Sequence, residues 1–416
     1  MKRKVLLWFL GFFLLSFLLG FNLEVSQARK NEEELYKQLE KFVNVVNVVK
    51  NQYVVPVEDK KLIYGALKGM LSSLDPYSAF LEPEASKELQ IETQGEFEGV
   101  GMEITQKDGI ITVVSPMEDT PSWNAGIKPG DRIIEIDGVS TKGMNTWEAA
   151  QKLRGKKGTS VVVSIVREGS TKILKITLVR DVIKVKSVKS KMLDDSIAYV
   201  RVTQFQERTA ADLEEVLTNF SQQNAKGLIL DLRNNPGGLL SSAIDVSQLF
   251  VPARKPIVSI QGRGPENKKF YYSKRDPIWN RPIVVLINGG SASASEIVTG
   301  ALKDDLTTCR TVGTKTFGKG SVQNLIPLDD DGAQIKLTIA YYYTPSGVRI
   351  EQKGIEPDVR IEVHRPGKDE SRSETELAME GVEEFEIGNL AKDPQLRRAI
   401  EEIRNMTVSA TAAREK

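Results

Sequence analysis

From Ile197 onward, apolar runs with strand character alternate with helical patterns. Strands are expected at Ile197 to Thr203, Gly227 to Leu232 and Ile283 to Ile287, and helices near Ala210 to Phe220, Leu239 to Phe250 and Ala294 to Leu302. Parallel strands need long crossovers, and a helix in each crossover covers the sheet, so this alternation predicts a layered α/β domain with a largely parallel sheet. In such a sheet the carboxyl ends of the strands gather at one edge. Two of those ends are rich in glycine and small residues: Asp231-Leu232-Arg233-Asn234-Asn235-Pro236-Gly237-Gly238 and Asn288-Gly289-Gly290-Ser291-Ala292-Ser293-Ala294-Ser295. The topology therefore lets them share one crevice.

The rest of the chain falls into smaller pieces. Lys2, Arg3 and Lys4 precede an apolar stretch from Val5 to Leu23 and the small-residue site Ser26-Gln27-Ala28, the pattern of an export signal. The stretch is close to the ~20 residues that span a bilayer, so 1–28 reads as a signal peptide or a membrane anchor, with the remainder facing outward in the periplasm or another extracytoplasmic space. Leu35, Leu39, Phe42, Val43 and Val46, then Leu62, Ala66 and Met70, recur at helical spacing and mark 29–88 as a helical segment. Each helix has one apolar stripe, which suits packing on the body or on a second copy and leaves a homo-oligomer open. Short alternating strands and turn residues from 89 to 183 mark a mainly β module. The lysine-rich Lys184 to Lys191 reads as a solvated strand face leading into an α/β core over 184–365, with a β tail at Gln334 to Tyr343. Beyond it, 366–416 is a charged linker followed by a helical pattern at Leu396 to Ile403. Lys+Arg minus Asp+Glu is 57 − 56 = +1, which gives nucleic acid no electrostatic handle. Cys309 is the only cysteine, so the chain has no internal disulfide, and it reads as a small core residue.

The chemistry concentrates in the second half. A serine cluster at a helix start is suited to present a nucleophile, because the first amides of a helix lack intrahelical acceptors and the dipole there favours negative charge. His364 is the only histidine, so a serine base would have to be something other than imidazole. Lys319, flanked by Gly318 and Gly320, supplies the alternative: an amine desolvated by apolar neighbours such as Phe317, Val322 and Leu325 loses its proton at accessible pH, and serine with lysine is a known substitute for a histidine-based triad. Gln323 is placed to orient that amine if the chain bends, with Gly320 the expected place. The Ala294 amide and that of Gly237 or Gly238 are candidate oxyanion donors. Residues alone leave Ser291, Ser293 and Ser295 equivalent. Gly313 to Lys319 has nucleotide P-loop spacing, but Gly320 stands where Ser or Thr should hold magnesium and a strand pattern follows instead of a helix, so nucleotide binding is set aside.

The set NGGSASASEIVTGAL, DLRNNPGG, TFGKGSVQ and GIEPDV, in that order after GVGM and AGIKPGDRIIEIDG, resembles the carboxy-terminal processing, or tail-specific, serine proteases, whose β module is a PDZ domain. The resemblance runs from about Leu35 to Val363, with the Lys303 to Gly313 segment about one residue longer than the family's usual spacing. It implies a layered α/β Ser-Lys peptidase core with an inserted mainly β PDZ domain and an N-terminal helical segment. It also implies Ser293 as nucleophile, Lys319 as general base and Gln323 as its partner, with no metal or cofactor. Substrates would be proteins or peptides with free, apolar C-termini, their carboxylate taken by the loop Gly99-Val100-Gly101-Met102 and the tail added as a strand. Arg154 matches an arginine that recurs in this family's PDZ domain; the resemblance suggests that it couples tail capture to alignment of the active site, and by itself it reads as a surface arginine at a helix end. The competing reading is a catalytically silent PDZ adaptor that only binds tails.

Overall fold

A computed structural model describes residues 33–363 and 387–414, apart from 108, 118, 170–171 and 329–330. The segment 1–28 expected to be a signal peptide or membrane anchor, His364 and the charged run up to 386 lie outside the described residues. The chain divides into two compact units, up to Phe80 and from Leu81 onward. In the first, helices span 33–52 and Asp59–Ser72, and the Tyr64 ring meets Phe80 edge-on at 4.7 Å. The apolar stripe of the earlier helix, including Leu35, Leu39, Phe42 and Val43, is exposed. No described helix is long and apolar enough to cross a membrane.

The second unit begins with helix Pro83–Gln94 and the β module. An antiparallel sheet orders Met102–Lys107, Ile110–Pro116, Arg132–Ile136, Ser160–Val166 and Leu174–Val179, leaving Met102–Lys107 as an edge. Ile111, Val113, Ile133, Ile136, Val161, Val163, Ile165 and Leu178 fill its core. Helix Thr146–Leu153 closes the module. Its start is fixed by reciprocal bonds in which the Glu148 amide donates to Asn145 Oδ1 and the Asn145 amide to Glu148 Oε2, each 2.9 Å.

The core sheet runs Val188–Leu193, Ile197–Val202, Gly227–Asp231, Ile283–Ile287, Cys309–Gly313 and Val359–Arg360. All neighbours are parallel except the first pair, where the lysine-rich strand folds back on its successor, so the sheet is mixed. Gly227–Asp231 and Ile283–Ile287 are buried along their whole length, which explains why they read as continuous apolar runs: both faces are covered. On one face Leu213, Leu217, Ala243, Val246, Val298 and Ala301 of helices Thr209–Gln222, Leu240–Gln248 and Ala294–Asp305 pack on Val200, Leu228, Leu230 and Val285. On the other, Leu396, Ala399, Ile400 and Ile403 of helix Pro394–Arg414 pack on Ile197, Ile229, Val284, Leu286 and Val312. Alternate residues of each strand serve opposite layers, as the period of two requires. The C-terminal helical pattern is thus a full layer of the core domain. A Cβ on Gly227 would stand 2.5 Å from Ile403, so that strand takes glycine to let the helix approach.

A second, antiparallel arrangement joins Lys268–Tyr272, Pro256–Gln261, Gln334–Tyr343 and Ser321–Pro327. The strands at 256–272 have no counterpart among the sequence expectations. The hairpin of Ser321–Pro327 with Gln334–Tyr343 brings the segment before it, which carries Lys319, against the strand ends of the core sheet.

Candidate active site

The three serines separate once their hydroxyls are followed. Ser291 Oγ donates to the Leu232 carbonyl at 2.8 Å, and Ser295 Oγ donates to the Asn235 carbonyl at 2.9 Å, with both residues fully buried. These two lock the serine loop to the neighbouring strand-end loop. Ser293 is partly exposed and lines a cleft of about 220 Å³ together with Ala294, Gly238, Lys319, Gln323 and Lys336. It precedes helix Ala294–Asp305 with φ 57° and ψ −114°. A positive φ of this kind costs a non-glycine residue on the order of 1–3 kcal/mol and recurs at strand-to-helix turns that expose a nucleophile.

Glu296, wholly buried, connects that turn to the lysine segment. Its Oε2 accepts the amides of Ser293 and Lys319, each at 2.9 Å, while Oε1 accepts Thr316 Oγ1 at 2.6 Å and the Gly318 amide at 2.7 Å. Burial pushes its carboxyl above the usual range against the pull of these donors. The lysine segment is held elsewhere too. The Phe317 amide donates to the Ser291 carbonyl at 3.0 Å, the Gly320 amide to Glu351 Oε2 at 2.7 Å, and the Tyr342 hydroxyl to the Lys319 carbonyl.

Desolvation by burial holds the Lys319 amine below the ordinary lysine range, and the positive charge of Lys336 adds to it, against the opposing pull of Glu351 and Glu296. Of the expected apolar surroundings, Val322 and Leu325 line the cleft and Phe317 does not. Leu89, Leu239, Leu240, Ile297, Val322 and Leu325 line the cleft, whereas Phe317 is 58 % exposed. With the Thr316 side chain turned inward to Glu296 and the Phe317 amide bound to Ser291, the Phe317 ring is left facing outward. Gly320 has a different role from a bend. A Cβ there would overlap the Glu351 backbone, and the register irregularity that re-aims Gln323 falls at Val322/Gln323. Gln323 shares the cleft and donates through Nε2 to Ser321 Oγ at 2.9 Å and Thr338 Oγ1 at 3.3 Å. After Gly320 the chain enters strand Ser321–Pro327, and the helix that a P-loop needs does not follow.

The second strand end carries the glycines. The Gly237 amide donates to Asn235 Oδ1 at 2.9 Å, its carbonyl accepts the Phe205 amide at 2.8 Å, and Leu239 donates to the Phe205 carbonyl at 2.8 Å. These bonds occupy the Gly237 amide, whereas Gly238 lines the cleft beside Ser293 and Ala294. At Gly237, φ is 106° and a Cβ would stand 2.7 Å from Ser293 Cβ, so only glycine lets the two loops meet.

In the β module, Val100 is buried and its carbonyl accepts Ser122 Oγ at 2.6 Å, while the Gly101 carbonyl accepts Thr120 Oγ1 at 2.9 Å. The Gly99-Val100-Gly101-Met102 loop is therefore rigid where it enters the edge strand. Arg154 follows helix Thr146–Leu153 and grips Glu88 with two bonds of 2.8 and 3.2 Å. Glu88 belongs to helix Pro83–Gln94, whose Leu89 and Thr93 line the cleft that holds Ser293 and Lys319.

Sequence reasoning missed Glu296 and Lys336. Ser293 and Glu296 form the Ser-x-x-Glu pattern of a capping box, which could have signalled the bond to the Ser293 amide. Nothing local signals the reach to Thr316, Gly318 and Lys319. Lys336 enters the cleft through hairpin register, two residues before Thr338, which pairs with Gln323.

A serine at a helix start that lines the same cleft as a desolvated lysine is an arrangement compatible with a serine hydrolase that uses a lysine base. The chain matches Peptidase family S41 over residues 196–361, a PDZ domain over 112–167, and the Activating protease CtpB N-terminal domain over 20–85. It is 43% identical over 400 residues to the Carboxy-terminal-processing protease of Bartonella bacilliformis, covering 94% of this chain and 91% of that protein. It is 40% identical over 327 residues to the Carboxy-terminal processing protease CtpA of Bacillus subtilis, covering 78% and 69%. Among solved structures it is similar to a photosystem II D1 C-terminal processing protease, with 30% identity, TM-score 0.46 and coverage of 80% and 89%. The chain belongs to the S41 carboxy-terminal processing proteases: it is a serine protease carrying a PDZ domain.

Proposed function

We propose that this protein is an exported endopeptidase that captures free C-terminal tails on its PDZ domain and cleaves them with Ser293 as nucleophile and Lys319 as general base. One observation carries the reading: Ser293 and Lys319 line the same cleft, with their backbones held on a single oxygen of Glu296. A tail adds as a strand along the Met102–Lys107 edge, and the Gly99-Val100-Gly101-Met102 loop receives its carboxylate. The neutral Lys319 amine takes the Ser293 proton as Oγ attacks a peptide carbonyl. The amides of Ala294 and Gly238 receive the developing oxyanion. Gly238 is preferred to Gly237 because the Gly237 amide is already bound to Asn235. The amine then protonates the leaving nitrogen, and water, deprotonated by the same amine, releases the acyl-enzyme. Gln323 lies on the wall beside Lys319 and helps to position it. Arg154, through Glu88, links the tail-binding module to the helix lining the cleft.

The basic residues and apolar run at Lys2 to Leu23 support export, with the protein secreted or anchored facing outward. The apolar lining at Leu239, Leu240 and Ile297 favours apolar residues near the scissile bond. The test is incubation of purified protein with an unstructured polypeptide, with and without Ser293→Ala, and sequencing of the products. Cleavage that vanishes in Ser293→Ala while tail binding persists supports the reading. Cleavage persisting in that variant removes this site from the mechanism, and binding without cleavage in the unsubstituted protein favours a silent adaptor.

A further inference from the structure

The strand-end loop that presents Gly238 is anchored from below by a buried charge cluster, and part of that cluster comes from the far end of the chain. Arg233, with its guanidinium wholly buried, donates to Asp231 through Nε at 2.9 Å and Nη2 at 2.6 Å. The same guanidinium donates to Asp393 through Nη1 at 2.8 Å and Nη2 at 2.7 Å, and to Gln395 Oε1 at 3.0 Å. The Tyr199 hydroxyl donates to Asp231 Oδ2 at 2.7 Å. Asp393 is also fully buried and immediately precedes helix Pro394–Arg414, where its carboxylate accepts the Leu396 and Gly388 amides, each at 2.9 Å. Burial works to raise the Asp393 carboxyl, but Arg233 and these amides outweigh it and hold it below the usual range.

The residues after Arg233 form the scaffold of the serine turn. Asn234 and Asn288 exchange two bonds of 2.9 Å, the Ala292 amide donates to the Asn235 carbonyl at 3.0 Å, and Ser291 and Ser295 are tied to Leu232 and Asn235. A shift of the Arg233 backbone is therefore passed to both Gly238 and Ser293. Removing one partner of a buried charge pair is costly because the other charge is left without compensation.

We propose that Asp393 is a positioning residue for catalysis: the C-terminal helix completes the active site from the opposite side of the sheet by fixing Arg233, and through it the loop that carries Gly238. The inference rests on the reading of Ser293 and Gly238 given above. It assigns a catalytic consequence to a segment outside the matched peptidase region, which ends at residue 361.

The test is Asp393→Asn in the full-length protein, assayed on a peptide substrate beside wild type and Ser293→Ala. Misplacing an oxyanion donor by about an ångström costs roughly 10²-fold in rate, so kcat is expected to fall about that much with KM changed less than about threefold. Affinity for a peptide boronate, which binds as the tetrahedral adduct, is expected to fall in parallel, while affinity for a C-terminal tail peptide stays. Ile400→Ala is the matched control, since it weakens the same helix by deleting apolar packing and leaves the carboxylate in place; below its melting temperature it is expected to keep its kcat. Wild-type kcat in folded Asp393→Asn overturns the proposal, and so does an equal loss in Ile400→Ala at the same folded fraction. If Asp393→Asn does not fold, Asp393→Glu decides, because it keeps the charge but displaces the guanidinium: a folded protein with lowered kcat supports the proposal and wild-type kcat overturns it. Cleavage surviving in Ser293→Ala would instead overturn the assignment of the nucleophile.

Discussion

Ser293 and Lys319 are tied together through one atom: Glu296 Oε2 accepts both backbone amides, each at 2.9 Å. The two residues are distant in sequence, yet the donor geometry at one buried carboxylate sets their spacing. Glu296→Gln keeps the shape but replaces one acceptor oxygen with an NH2 group that faces donors. Unpaired buried donors cost about 1–3 kcal/mol each, so the variant is expected to lose roughly that much stability and at least about 10-fold in kcat/KM. Thermal denaturation and peptide assays check this. A variant of unchanged activity would show that the clamp does not set the geometry.

Lys336 acts electrostatically on Lys319, the proposed base. Its positive charge opposes protonation of Lys319, so Lys336→Met is expected to raise the Lys319 pKa and move the ascending limb of the pH profile of kcat/KM to higher pH. Desolvation is the larger cause of the depression and remains, so the limb still lies below the ordinary lysine range. A limb that stays in place would remove Lys336 from the electrostatics of the cleft.

Gly237 lets the two strand-end loops touch. Gly237→Ala places a Cβ 2.7 Å from Ser293 Cβ and 2.9 Å from the Ala292 carbonyl, at a φ of 106°. The turn that carries Ser293, the proposed nucleophile, must give way, and kcat is expected to fall about 10²-fold or more with tail affinity unchanged. Wild-type turnover would place the reacting serine elsewhere.

The core strands were legible because a strand buried on both faces leaves an unbroken apolar run, and Ile283–Ile287 falls at the expected residues; the partly buried Gln334–Tyr343 of the other sheet does so as well. The serine loop proposed to carry the nucleophile was legible as a chemical type, while the residues alone left its three serines equivalent. Choosing Ser293 requires knowing that Ser291 and Ser295 bond to Leu232 and Asn235, a fact of tertiary contact. Lys319 could be read from its flanking glycines and its apolar neighbours only in part: Val322 and Leu325 line the cleft as expected, but Phe317, two residues away, points outward, and Leu89 and Leu239 arrive from other elements. Asp393 meets Arg233 across 160 residues, and no periodicity carries information over that distance.

The proposed mechanism requires that the Lys319 amine lose its proton more readily than an ordinary lysine. Titration of Lys319 Nζ by NMR in Ser293→Ala protein, with lysine labelled at the side-chain nitrogen and the signal assigned by its loss in Lys319→Met, tests this most directly. A folded-state pKa depressed by burial means that protonation is disfavoured in the folded protein. The penalty for a charged amine is then full below the folded pKa and disappears above the ordinary lysine value of about 10.4. The expected Lys319 midpoint lies clearly below that value and coincides with the ascending limb of kcat/KM in the active enzyme. A midpoint at the ordinary lysine value, with activity already maximal well below it, would contradict the account.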